Sequence, residues 1–219
     1  MASKKHLAAS DLEKRELLVL GMDELRLEYS TNQLDLLLAY LKMLEHWNKA
    51  YNLTAIRDPM EMIKLHLLDS LSISPLLQGD RFIDVGTGAG LPGIPLAILN
   101  PNKHFTLLDS NGKKTRFLFQ VKIELGLSNI NEVNKRVEQF SPDHKYEAVI
   151  SRAFSSLNDM VVNCQHLIAE NGWFLAMKGR LEQTELSAIP KGYKVIEEQP
   201  IKVPEVDGHR HLIKIAKFK

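Results

Sequence analysis

The stretch DVGTGAGLPGIP, Asp84 to Pro95, decides the fold. Gly86, Gly88 and Gly90 form an alternate-residue series, while Gly88, Gly90 and Gly93 spell GxGxxG. The flanking segments make it a strand–turn–helix unit, with RFIDV as a short apolar strand before it and IPLAIL as a helix after it. Glycine is needed where a Cβ would hold a ligand off the chain or where the turn requires positive φ. FTLLD then reads as the next strand and ends on Asp109. An acidic side chain at that place can accept hydrogen bonds from both hydroxyls of a ribose. Loop and acid together predict an adenosine-containing ligand.

Three features separate a nicotinamide dinucleotide from S-adenosylmethionine, and all favour the second. Asp84 stands two residues before Gly86, giving D-x-G-x-G-x-G, and a carboxylate there suits a cationic sulfonium ligand and opposes a pyrophosphate. It can organise the loop amides and reach the ligand's methionine amino group. Pro92 and Pro95 remove N–H donors from the first helical turn. Finally, a dinucleotide fold needs two βαβαβ halves, more than the chain after residue 78 supplies.

Working outward, residues 1–78 read as a helical extension and 79–219 as the ligand-binding domain. In the extension, LEKRELLVLGM has helical spacing, Thr31 is placed to cap NQLDLLLAYLKMLEHWNKAYN, and Asp58-Pro59 with Glu61 resembles an acidic capping box before MIKLHLLDSLSI. Downstream, KKTRFLFQVKIELG, LNDMVVNCQHLIA and LEQTELSAI read as helices, and INEVN, YEAVISRA and GWFLAMKG as strands. Strands alternating with helices imply a parallel sheet. YKVIEEQPIKV and HRHLIKIAKF flank a PEVDG turn with no helix between them, so they must pair antiparallel. The expected fold class is α/β, a Rossmann-like class I methyltransferase with a seven-stranded, mostly parallel sheet closed by an antiparallel hairpin.

Composition bounds this reading. With 28 Lys and Arg against 27 Asp and Glu, bulk charge says nothing about nucleic acid. The single cysteine, Cys164, excludes an internal disulfide, and no apolar run approaches a membrane span, so a cytoplasmic protein is expected. The eight histidines show neither HExxH nor Cys/His ligand spacing, so no metal is expected.

WNKAYNLTAIRDP, HLLDSL, FIDVGTGAGLPGIP, FTLLDSNGKKTRFL, VISRAF, MKGR and DGHRHLIKI, in this order, carry a specific resemblance. The chain resembles the bacterial 16S ribosomal RNA guanine-N7 methyltransferase G family, also called glucose-inhibited division protein B. Ala89 stands where that family often has proline. The resemblance implies S-adenosylmethionine as cofactor and a guanine N7 in the decoding region of 16S rRNA, free or in a small-subunit particle, as acceptor. It also implies cofactor contacts from Gly86, Leu91, Val137, Glu138 and Arg152, beside the ribose-binding Asp109.

The chemistry expected is an in-line displacement. Guanine N7 has a free lone pair and no proton, so positioning can suffice without a general base. SRAF stands where amino-group methyltransferases carry [DNS]PP[YFW], and Cys164, within VVNCQH, reads as a buried apolar residue and not as a nucleophile. Arg152, ending an apolar strand, should meet a carboxylate of the protein or of the cofactor. Arg152 or Lys178 could also grip the base, Arg152 acting by positioning. Lys113, Lys114 and Arg116 on one helix, with Lys178 and Arg210, are candidate RNA contacts, against the simpler reading of solvated faces. His66 and Asp69, three apart on one helix face, either tie the extension to the core or wall the target-base pocket. A small-molecule methyltransferase and an RNA-binding protein holding its cofactor only structurally are the rival readings.

Overall fold

RFIDV forms β1 (Arg81–Val85), and its neighbours in the sheet set the architecture. The computed structural model describes residues 10–179 and 183–218. Parallel pairs join β1 to β2 (His104–Asp109) and to β4 (Tyr146–Ser151), with β3 (Ile130–Asn134) beyond β2 and β5 (Ile168–Lys178) beyond β4. The closing β6 (Tyr193–Pro200) and β7 (His211–Lys217) are antiparallel, β7 lying between β5 and β6. The order is β3-β2-β1-β4-β5-β7-β6. It reverses at β1/β4, where open α/β sheets bind ligands beyond the strand carboxyl ends.

Parallel strands buried on both faces need apolar residues at consecutive positions, and β1 shows the division. Phe82 enters one core, stacked on Phe105 at 5.1 Å, and Ile83 enters the other with Val149 and Phe174. The first core takes the helices α1 (Asp11–Glu24), α2 (Thr31–Tyr51), α5 (Gly93–Leu99) and α6 (Gly112–Leu125). The second takes α7 (Leu157–Cys164) and α8 (Gln183–Ser187). Leu18, Leu37 and Leu44 of the extension thus share one core with Leu107 and Ile150 of the sheet. Each such side chain contributes about 1.5–3 kcal/mol on full burial.

Several element boundaries differ slightly from those expected. The cap of α2 is Ser30, not Thr31: Ser30 Oγ accepts Gln33 N at 3.2 Å, and Gln33 Oε1 accepts Ser30 N at 2.8 Å. Asp58 caps α3 (Pro59–Met62) by accepting Met60 N and Glu61 N, while Glu61 turns to Lys64. The chain then widens into a π turn, Ile63–Leu68, before α4 (Asp69–Leu71). Helix α7 stops at Cys164, and Ile168 and Ala169, expected in its tail, open β5. Arg180 of the MKGR motif, and Leu181 and Glu182 at the start of the expected last helix, lie outside the described residues.

Candidate active site

The glycine loop crosses the end of β2, where Gly86 N and Thr87 N both donate to Leu108 O, at 2.8 and 3.1 Å. Gly86 holds φ +70° beside the chain leaving β4. A Cβ on it would lie 2.6 Å from Ala153 Cβ, so the close approach of the two loops requires glycine. Asp84 fastens the far side of the loop: Oδ2 accepts Thr87 Oγ1 at 2.6 Å and Gly93 N at 2.8 Å. The first amide of α5 is therefore spent inside the protein and Pro92 and Pro95 have none to give, so the loop offers no pyrophosphate cradle. Asp84 has no exposed surface, and burial pushes its carboxyl up to about 6 against those two hydrogen bonds. It organises the loop as expected, but it does not open toward a ligand. A brace also comes from the extension, where buried Tyr40 donates its hydroxyl to Ala89 O at 2.7 Å.

Beyond the carboxyl ends of β1, β2 and β4 lies a cavity of about 310 Å³, lined by Gly86, Asp109, Lys114, Val137, Glu138 and Phe154 among others. Four of the expected cofactor residues, Gly86, Asp109, Val137 and Glu138, therefore share one site. Asp109 Oδ1 accepts Asn111 N at 2.8 Å and Oδ2 accepts Gly88 N at 2.9 Å, with Lys114 Nζ at 3.7 Å. A carboxylate has about four acceptor positions, so the two not taken by amides can receive vicinal hydroxyls. Glu138, exposed on the 3₁₀ turn Val137–Gln139, supplies a second acceptor across the cavity, and Phe154 an aromatic face. Two carboxylate acceptors and an aromatic ring fit the hydroxyls, amino group and base of an adenosyl group. Leu91 is placed elsewhere, in the core beneath the loop.

Arg152 is also placed elsewhere. Its Nη1 donates to Asp69 Oδ2 at 2.7 Å and to Leu65 O, a carbonyl of the π turn, at 3.4 Å. Arg210 Nε lies 3.3 Å from the other oxygen, Asp69 Oδ1. One carboxylate of the extension thus joins an arginine leaving β4 to one entering β7. Together they border a second cavity of about 480 Å³, with Ile56, Leu65, Met177 and Lys178. The carboxylate predicted for Arg152 is therefore the protein's own. Asp69 thus ties the extension to the core, and it also lines this cavity. Its neighbour His66 bonds Thr54 Oγ1 at 2.8 Å, and burial, helped by the Arg152 charge, lowers its pKa to about 4.

The expected RNA contacts divide. Lys113 and Arg116 are exposed on α6. Lys114 leans on Asp109, Arg210 on Asp69, and Lys178 on Ser155 O at 2.9 Å and Glu185 at 2.7 Å. Lys135, Arg136 and Phe154 of the first cavity were missed, and only their place after strand ends could have marked them. Cys164 is fully buried, its thiol pushed up to about 12 mainly by desolvation, which excludes it as a nucleophile. Among the described residues no His/Cys/Asp/Glu group could hold a metal, and no helix is long and apolar enough to cross a membrane.

The family model described as rRNA small subunit methyltransferase G, GidB, matches residues 33–213. The chain belongs to the GidB family. Among curated relatives, the ribosomal RNA small subunit methyltransferase G of Shewanella amazonensis is 54% identical over 191 residues, 87% of this chain and 93% of the relative. That of Klebsiella pneumoniae subsp. pneumoniae is 53% identical over 194 residues, 89% and 94% of the two chains. Among solved structures, the glycopeptide N-methyltransferase MtfA complexed with S-adenosylhomocysteine superposes with a TM-score of 0.59 at 10% identity, covering 70% of this chain and 87% of that one. That likeness shows the fold, a class I methyltransferase sheet. Like its GidB relatives, the chain is a methyltransferase.

Proposed function

We propose that this enzyme transfers a methyl group from S-adenosylmethionine to N7 of one guanine in 16S ribosomal RNA, presented free or in a small-subunit particle in the cytoplasm. In this reading residues 79–219 are the cofactor-binding domain. Residues 1–78 are the extension, whose described residues 10–78 are largely helical, share its core and supply Asp69 to the acceptor site. The carrying observation is the convergence of Gly86, Asp109, Val137 and Glu138 on one cavity at the β1/β4 switch point, in a chain of this family. Asp109 would receive the ribose hydroxyls, Glu138 the adenine amino group, and Gly86 lets the backbone approach. When bound, the cofactor supplies an electrophilic methyl on a sulfonium.

The second cavity would hold the acceptor. Arg152 and Arg210 each bring a five-donor guanidinium and spend only part of it on Asp69, which leaves N–H groups for guanine O6. His66 is neutral at physiological pH and Cys164 is sealed away, as suits a transfer that needs positioning and no proton abstraction. The test is to map N7-methylguanine in rRNA from cells lacking the protein. One site should be lost and should return on complementation; an unchanged pattern would overturn the reading. Arg152→Ala should slow single-turnover methylation roughly 5- to 150-fold, the range for a bidentate base contact, with cofactor affinity kept. Unchanged single-turnover transfer would remove Arg152 from the acceptor site, and lost cofactor affinity would return it to the cofactor.

A further inference from the structure

Helix α2 ends in an aromatic pair that neither cavity uses. Trp47 and Tyr51 stack with ring centroids 5.1 Å apart and planes 28° apart, and Trp47 rests on Phe117 of α6 at 5.6 Å. Tyr51 is 43% exposed, in the last position of the helix. The direction of α2 gives its place. At the start, Gln33 Nε2 donates to Ile98 O and Leu99 O at the far end of α5, the side away from the glycine loop. Midway, Tyr40 reaches Ala89 within that loop. The helix therefore climbs from the amino edge of the sheet to its carboxyl edge, and Tyr51 emerges on the same edge as both cavities. The next residue, Asn52, takes a left-handed conformation, and the chain descends to Ile56, which lines the second cavity.

The surroundings of the pair are cationic. Lys49 is exposed in the last turn of α2, and Arg57 is exposed with Nη2 fixed on Asn52 Oδ1 at 2.7 Å. Lys113 lies one helical turn before Phe117, hence on the face of α6 that Trp47 touches, with Arg116 beside it. Asp58, the acid next to Arg57, spends its Oδ1 on the cap of α3. A flat exposed ring backed by a second ring and bordered by arginine and lysine is the arrangement that takes an unpaired nucleobase. The ring meets the π-face and the cations meet the phosphates.

We propose that Tyr51, backed by Trp47, is a stacking step for an unpaired nucleobase near the target guanine in the RNA substrate. The proposal rests on the rRNA reading above. It explains how an acceptor base could be held away from its own stack: a neighbouring base finds a substitute partner on the same edge of the sheet. The site carries π-stacking and phosphate contacts, so it would tolerate different bases and contribute affinity, not choice of nucleotide.

The test compares Tyr51→Ala and Tyr51→Phe as full-length enzymes on purified small ribosomal subunits from cells lacking the protein. Tyr51→Ala should raise KM for the subunit roughly 5- to 150-fold, the range for loss of one base–aromatic stack. Its kcat and its affinity for S-adenosylhomocysteine should stay within about twofold of wild type. Tyr51→Phe, which keeps the ring, should behave as wild type. A photoreactive benzoylphenylalanine at position 51 should crosslink to rRNA. The proposal is overturned by an unchanged KM in Tyr51→Ala, by equal damage in Tyr51→Phe, or by a crosslink to a ribosomal protein. If the wild-type enzyme methylated no rRNA, the functional reading would fail instead, so the two failures are distinguishable.

Discussion

Replacing Gly86 with alanine loads two separable costs on the glycine loop. The backbone holds φ +70°, a region that costs an L side chain about 1–2 kcal/mol. The new Cβ would lie 2.6 Å from Ala153 Cβ. Carbon atoms pack at about 3.5–4 Å, so one loop must retreat by roughly 1 Å. Overpacking of this kind costs about 1–3 kcal/mol. The sum is about 2–5 kcal/mol, or a melting temperature lowered by roughly 4–20 °C for a chain of this size. Gly86→Ala should also weaken S-adenosylhomocysteine binding, because the loop must shift at the cavity wall. Adding Ala153→Gly removes the collision and leaves the backbone cost. The double variant should therefore recover about 1–3 kcal/mol by thermal or denaturant unfolding, without reaching wild type. A single variant that melts with wild type, or a double variant that recovers nothing, would refute the reasoning.

Two further predictions follow from charge. His66 falls from 6.5 to about 4 in the fold, so the unfolded chain takes up its proton first. Its contribution is complete above pH 6.5 and is lost as pH falls toward 4, reaching roughly 3 kcal/mol at the acid end. Asp84, raised from 3.8 to about 6, acts with the opposite sign and costs stability as pH rises through that window. Wild type should thus show a shallow slope from pH 4 to 6.5, steepened by Asp84→Asn and flattened or reversed by His66→Asn in denaturant titrations; equal slopes in all three would contradict both assignments. Lys113→Ala should lower the salt-dependence slope of RNA binding by about 0.7–0.9. Lys114→Ala should change it less, because Lys114 is already engaged by Asp109, and an equal effect of the two would count against that pairing.

The sequence disclosed what depends on neighbours along the chain. The strand–loop–helix, Asp109 at the end of the next strand, and the closing hairpin all follow from period, turn chemistry and loop length. The errors have local causes. Ser30 and Thr31 can both cap a helix, and only the return bond from Gln33 selects the first. Gln165–Leu167 turns from α7 into β5 without glycine or proline, so the apolar HLIA looked like more helix. Arg152 was legible as a cation in need of a carboxylate. That the carboxylate is Asp69, and that Arg210 shares it, depends on packing the extension against the sheet. The π turn that lends Leu65 O to Arg152 has no sequence signature at all.

The three-way junction at Asp69 has a consequence in time. During synthesis the carboxylate emerges early, Arg152 follows after most of the sheet, and Arg210 comes only with the final strand. A nascent chain can therefore shape the crevice beside Gly86 and Asp109 while the cavity beside Asp69 still lacks Arg210. That cavity gains its full outline only once β7 lies between β5 and β6, because Arg210 enters with it.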